Sequence, residues 1–461
     1  MRDLRRRQAL QTRGLQWKSE RCRDASRSSL PPSPAGEERE LSATLRFSWK
    51  DTPIAAPYCA VIGAGPAGLI AAERLAHAGA RVEVFDHMPS PARKFLMAGR
   101  GGLNLTHSEP LDLFLTRYGA ARARLEPYLR AFSPQELRDF CAGLGEETFI
   151  GTSGRVFPKS FKASPLLRAL LARLANQGVR LRTRHGFLGF GQGRALKLRD
   201  AFGATLEITP DAAVFALGGT SWPRLGTDGG WTRAFGEAGI ALAPLAPANC
   251  ALHFAWSPHF LEAFEGQPLR SLQVLHGDKA ARGDLVVTLR GFEGGPAYAL
   301  ASAVRESLAR GDAATLTLDL RPDQSVEALA AKLGRPRGKA SLATHLRKTL
   351  ALSKIDIALL REASPEGLPQ DPQALAARVK AVPLEVVGVA GFERAISTAG
   401  GVAFEALDAD LMLKVRAGIF VAGEMLDFDA PTGGYLLQAA FSTGVAAAQG
   451  AARFLGLSIS S

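Results

Sequence analysis

The chain has 461 residues, 46% of them hydrophobic, with a formal net charge of +12 and four cysteines. That length and apolar content are enough to bury a large core in two or three domains, and no stretch of 18 or more apolar residues is free of charges and turn signals, which excludes a membrane-spanning helix. Cys22, Cys59, Cys141 and Cys250 are far apart, with no CxxC and no Cys/His pair at ligand spacing. This argues against a disulfide framework, a structural zinc or a dithiol redox centre, and for buried thiols in a reducing, cytoplasmic setting.

Residues 1–54 come first in the chain. Residues 1–30 carry nine Lys/Arg against three Asp/Glu, so half of the excess charge sits there. The segment is rich in Arg, Ser and Pro and reads as a disordered basic tail. Its Arg and Ser content would suit an organellar transit peptide, which Asp3, Glu20 and Asp24 oppose; a translation start further along the chain is a third reading. The body's remaining charge of +6 is mild and favours anionic ligands only weakly.

A strand is expected at Tyr58–Ile62, running directly into Gly63-Ala64-Gly65-Pro66-Ala67-Gly68, with Leu69, Ala72, Leu75 and Ala76 at helical spacing behind it. Gly79 stops the helix, and Arg81-Val-Glu-Val-Phe85 forms a second strand ending at Asp86. Strand, Gly-rich turn, helix and strand are the order of a dinucleotide fingerprint. Gly63 permits the tight turn, Gly65 admits a pyrophosphate to the backbone, Gly68 lets helix and strand pack closely, and the helix N-terminus offers free N–H groups to phosphate. Asp86, 18 residues after Gly68, is placed to accept hydrogen bonds from a ribose and would repel a 2′-phosphate, so the expected ligand is FAD or NAD.

Further along, a helix is expected around Ser164 within 157–176, then short strands at 179–184, 194–199 and 204–209 as a small meander, and a buried strand at Ala212–Gly219. From 244 to 397 the pattern changes to short strands (269–276, 284–290, 315–319) followed by helices (325–333, 341–352, 373–381), which reads as an inserted domain. The fold class is therefore α/β: a Rossmann-like nucleotide-binding domain, parallel sheet plus β-meander, in two segments (55–243 and 398–461) interrupted by a β-plus-helical insertion.

The choice between FAD and NAD rests on the chain's end. A flavin is held at its ribityl chain and ring as well as its adenosine, so a flavoprotein returns late in sequence to finish the site. Here Gly418–Val421 is a short buried strand leading to Gly423-Glu424, whose carboxylate would suit a ribityl hydroxyl. Gly433-Gly434-Tyr435 then opens an apolar helix, with its positive end available to a reduced flavin ring. No second GxGxxG, nucleophile elbow or complete P-loop follows, and no metal-ligand cluster is expected; a nicotinamide reductant would have to dock transiently at the flavin face.

With both ends in hand, the chain resembles the BaiN/RdsA-type NAD(P)/FAD-dependent oxidoreductases, from about Tyr58 to Leu457. The resemblance is carried by GAGPAGLIAA (63–72), KFLMAGRGGLNLTHSE (94–109), GRVFPKSFKAS (154–164), FALGGTSWPRLGTDG (215–229), GDLVVT with GFEGGP (283–296), TAGGVAFEAL (398–407) and AGEMLDFDAPTGGYLLQAA (422–440). It implies that Lys94 and the loop containing Gly99, Gly101 and Asn104 lie along the flavin. Gly102-Leu103 stand where relatives carry Arg-Cys, so no thiol is expected beside the ring. The family implies reduction of an activated carbon–carbon double bond with NAD(P)H as reductant. A small-molecule substrate, a uridine in structured RNA, and a non-catalytic flavin protein are the readings open to it. The proton donor is not legible: His107 follows the flavin loop, and Arg155, Lys159 and Lys162 suit an anionic group, but each also reads as ordinary surface chemistry.

Overall fold

The computed structural model describes residues 56–99 and 101–458. The basic segment 1–54 lies outside the described residues. Five strands, β1 (Tyr58–Ile62), β2 (Arg81–Asp86), β3 (Arg180–Thr183), β4 (Ala212–Phe215) and β5 (Ile419–Val421), form a parallel sheet in the order β5-β4-β1-β2-β3. The central strands are apolar throughout because both faces are covered; β4 and β5 are buried at every residue. The order reverses direction at β1, and the Gly63–Gly68 turn leaves that strand's carboxyl end, where open α/β sheets bind ligands.

Two helices cover the sheet by mutual close approach. The fingerprint helix, Pro66–His77, packs against the C-terminal helix, Tyr435–Phe454, which is buried along most of its length. Gly444 makes that contact fit: a Cβ there would sit 2.5 Å from the Ala67 carbonyl oxygen.

The strand expected at 179–184 belongs elsewhere than expected. As β3 it pairs parallel with β2 at the sheet edge, after the crossover helix Ala163–Asn176. The meander consists instead of Gly186–Phe190, Leu196–Arg199 and Thr205–Ile208. An exposed edge strand and a half-covered meander strand show the same polar alternation, so periodicity does not separate them. Residues 155–158, of which Phe157 and Pro158 are expected to open the helical stretch, form a strand with Thr106–His107 and Thr148–Ile150. This small sheet carries the Asn104 loop.

A second core holds buried residues only from Cys250 to Ala395. Its seven-stranded antiparallel sheet is covered by the helix Gly295–Ala309, with further helices at Val326–Leu333, Leu342–Leu350, Lys354–Glu362 and Pro372–Lys380. A two-stranded ribbon, Leu242–Ala248 with Ser397–Val402, joins this insertion to the nucleotide-binding fold.

Candidate functional site

The fingerprint turn is built as its glycines require. Gly63 has φ 109°, and a Cβ there would lie 2.3 Å from the Ala216 carbonyl oxygen; at Gly68 a Cβ would lie 2.0 Å from the carbonyl oxygen of Gly63. Gly65 is different. Its φ of −82° suits any residue, and nothing stands within 4 Å of where its Cβ would be. The protein itself gives no reason for a glycine there.

The space beside Gly65 belongs to a cavity of about 710 Å³, within the range of a ligand pocket. Of the residues expected to bind the cofactor, Gly63, Ala64, Gly65, Pro66, Ala67, Asp86, Lys94, Asn104, Gly423, Glu424, Gly433 and Gly434 all line it. Four stand back. Gly68 serves helix–strand contact, and Gly99 packs against Ala163. Gly101 is exposed at φ 86°. Tyr435 is buried, donating its hydroxyl to Glu109 Oε1 at 2.6 Å and stacking on His107 at 5.6 Å between ring centres.

At one end of the cavity Asp86 accepts the Ala64 N–H at 3.0 Å and the Met88 N–H at 2.8 Å, so its carboxylate holds the fingerprint turn while facing the cavity. Further along, the Glu424 carboxylate accepts from Lys94 Nζ (2.9 Å), Gly219 N (3.2 Å) and Thr398 N (3.0 Å). Lys94 also reaches Gly219 O and Ser221 Oγ. This cluster ties β4's outgoing loop, the returning segment and the helix Arg93–Ala98 into one wall.

Several wall residues were not legible in advance. Asn249, at φ 48° and 4% exposed, commits its amide to Ser397 Oγ and the Ala430 carbonyl, leaving its own oxygen to offer. Tyr298 and Gly295 come from the insertion. Ser221 and Thr398 lie within motifs that marked the family without marking a role. The outlying candidates separate: Arg155 lines the cavity, whereas Lys159 is paired with Glu147 and His107 with backbone, its Nε2 facing Ser153 O and its Nδ1 accepting from Glu109 N. Cys59, Cys141 and Cys250 are buried, and burial pushes their thiols up to about 12, about 12 and about 11; none of them lines the cavity.

A dinucleotide flavin fits these walls on three observations. The Gly65 position is open. The fingerprint helix has no side-chain cap and no acid in its first turn, so its leading N–H groups remain for phosphate. Asn104 Oδ1 is buried without a hydrogen-bond partner on the cavity wall.

The chain is 27% identical over 414 residues to 3-dehydro-bile acid delta(4,6)-reductase of Clostridium scindens, covering 85% of this chain and 98% of that protein. It is 26% identical over 407 residues to ribosomal RNA dihydrouridine synthase of Escherichia coli, covering 84% of this chain and 96% of that one. Among solved structures it is similar to 3-ketosteroid delta1-dehydrogenase from Sterolibacterium denitrificans at 16% identity and a TM-score of 0.49, covering 86% of this chain and 99% of that chain. Residues 57–450 match the family described as HI0933-like protein Rossmann domain, and the chain belongs to that family.

Proposed function

We propose that this chain is a flavin-dependent oxidoreductase that reduces an activated carbon–carbon double bond in a small molecule, with NAD(P)H as reductant, in the cytoplasm. The observation that carries the reading is continuity: one cavity of about 710 Å³ is lined by the fingerprint turn, by Glu424 and by the Gly433-Gly434 turn together. Bound FAD would supply hydride chemistry. Gly63–Ala67 would receive its pyrophosphate, Asp86 its ribose, Glu424 with Lys94 its ribityl chain, and Asn104 with Gly433-Gly434 its ring. Residues 55–243 and 398–461 would form the cofactor domain and 244–397 the substrate domain. The names of the two relatives share one chemistry, saturation of a double bond conjugated to a carbonyl, which supports the reaction class across unlike substrates.

The test is an anaerobic titration of the purified yellow protein with NADH and NADPH, followed at the oxidised-flavin absorbance band. Rapid bleaching, reversed by a conjugated enone, is the expected result; a colourless protein that does not retain FAD overturns the reading. The second reading, reduction of a uridine in structured RNA, is favoured by Arg155, exposed and on the cavity wall. It predicts RNA binding that weakens steeply with salt and survives removal of residues 1–50.

A further inference from the structure

Reducing a double bond takes a proton as well as a hydride, and the cavity walls narrow its source. Asp86 accepts two backbone N–H groups, and His87 lies next to it at the fingerprint end. Glu424 accepts from three donors, and the ammonium of Lys94 is spent on Glu424, Gly219 and Ser221. Arg93 and Arg155 are guanidinium groups, which do not give up a proton in proteins. His107 is off the wall, with both ring nitrogens facing backbone. Tyr298 remains.

The helix that carries it, Gly295–Ala309, has two faces. Ala297, Leu300, Ala301 and Val304 are buried in the insertion's core. Tyr298, Ser302 and Arg305, spaced i, i+4 and i+7, share another stripe. Ser302 Oγ donates to the Asp429 carboxylate and Arg305 Nη1 to the Pro247 carbonyl, so this stripe is turned to the nucleotide-binding fold just ahead of Gly433-Gly434. Tyr298 therefore meets the cavity from the insertion. No side chain among the described residues hydrogen-bonds its hydroxyl, which leaves the O–H proton uncommitted. Burial, reinforced by Glu293, raises the phenol above its ordinary value, so it carries its proton at neutral pH.

We propose that Tyr298 is the proton donor of the reaction, the catalytic residue whose hydroxyl faces the α-carbon of a bound conjugated carbonyl substrate. This rests on the oxidoreductase reading above. Bound FAD, reduced by a nicotinamide, would supply the hydride for the new C–H bond at the β-carbon. The π pair shifts to the α-carbon and takes the Tyr298 proton as the Oη–H bond breaks. The substrate gains two electrons, a hydride's hydrogen and a proton; reduced FAD would supply both electrons, and a proton from solvent returns the phenolate to phenol.

The experiment compares the holoenzyme with Tyr298→Phe in three readouts. Flavin content should be equal, since the insertion supplies none of the proposed FAD contacts. Binding of 2-naphthol, a planar phenol mimicking the enolate, should weaken at least tenfold, read by perturbation of the flavin spectrum. Reoxidation of pre-reduced flavin by a conjugated cyclic enone should slow about 100-fold or more, as expected for loss of a general acid. Naphthol binding and reoxidation both unchanged in the variant overturn the assignment. Tyr298-dependent naphthol binding in a wild-type enzyme whose reduced flavin no enone or uridine reoxidises overturns the reductase reading instead, and leaves Tyr298 as the ligand-facing donor.

Discussion

Two glycines of the fingerprint are required by the protein's own backbone and the third is not, and single substitutions separate them. Gly63→Ala forces a Cβ to 2.3 Å from a carbonyl oxygen at a positive φ, and Gly68→Ala forces one to 2.0 Å. Each is expected to lower the melting temperature of the flavin-free protein, with a cost above about 2 kcal/mol. Gly65→Ala meets no protein atom within 4 Å, so the flavin-free protein should melt as wild type does while FAD affinity falls at least tenfold. Thermal unfolding with and without FAD reads all three; equal destabilisation by Gly65→Ala would remove that residue from the proposed pyrophosphate site. The spacing of these glycines was legible because a motif encodes a local turn. Asn249 and Tyr298 were not, since what makes them wall residues is a contact between segments distant in sequence, which no local pattern records.

At the scale of elements, the start of the C-terminal helix is fixed by a network rather than by a cap. Gly434 offers no side-chain cap, but Tyr118 Oη donates to the Tyr435 carbonyl at 2.8 Å and Tyr435 Oη donates to Glu109, which Arg117 grips with two nitrogens. Burial alone would raise the Glu109 carboxyl; hydrogen bonds from Arg117 and Tyr435 outweigh it and hold the group below its usual range. A carboxylate whose folded value is lowered contributes stability above its unfolded value, about 4.3, and loses it as pH falls through the folded one. Tyr435→Phe should therefore cost about 1–2 kcal/mol at pH 7, a difference that shrinks below about pH 4. Urea unfolding at the two pH values checks it; a pH-independent difference would assign the loss to packing against His107 and Phe114. The helix itself was legible from its apolar run. The helix Gly295–Ala309 was not, because it opens with Gly-Gly-Pro, which reads as a turn until the Pro is seen to occupy the first turn of a helix.

At the scale of the whole molecule, two cores are joined by a ribbon and by the side-chain latches of the 295–309 helix, and the cavity depends on their registration. Ser302 and Arg305 hold that helix to Asp429 and to the Pro247 carbonyl, whereas the residues proposed to bind FAD lie outside the insertion. Removing both latches, as Ser302→Ala with Arg305→Ala, withdraws one hydrogen bond's worth, about 1 kcal/mol each, from the junction, and nothing from either core. Flavin content and its spectrum should stay as in the wild type, while amides of the 295–309 helix exchange faster and kcat/KM for the substrate falls about tenfold, because Tyr298 rides on the loosened stripe. If flavin were lost along with activity, the insertion would be contributing to cofactor binding, and the division of labour between the two cores would have to be redrawn around the Gly433-Gly434 turn that Asp429 precedes.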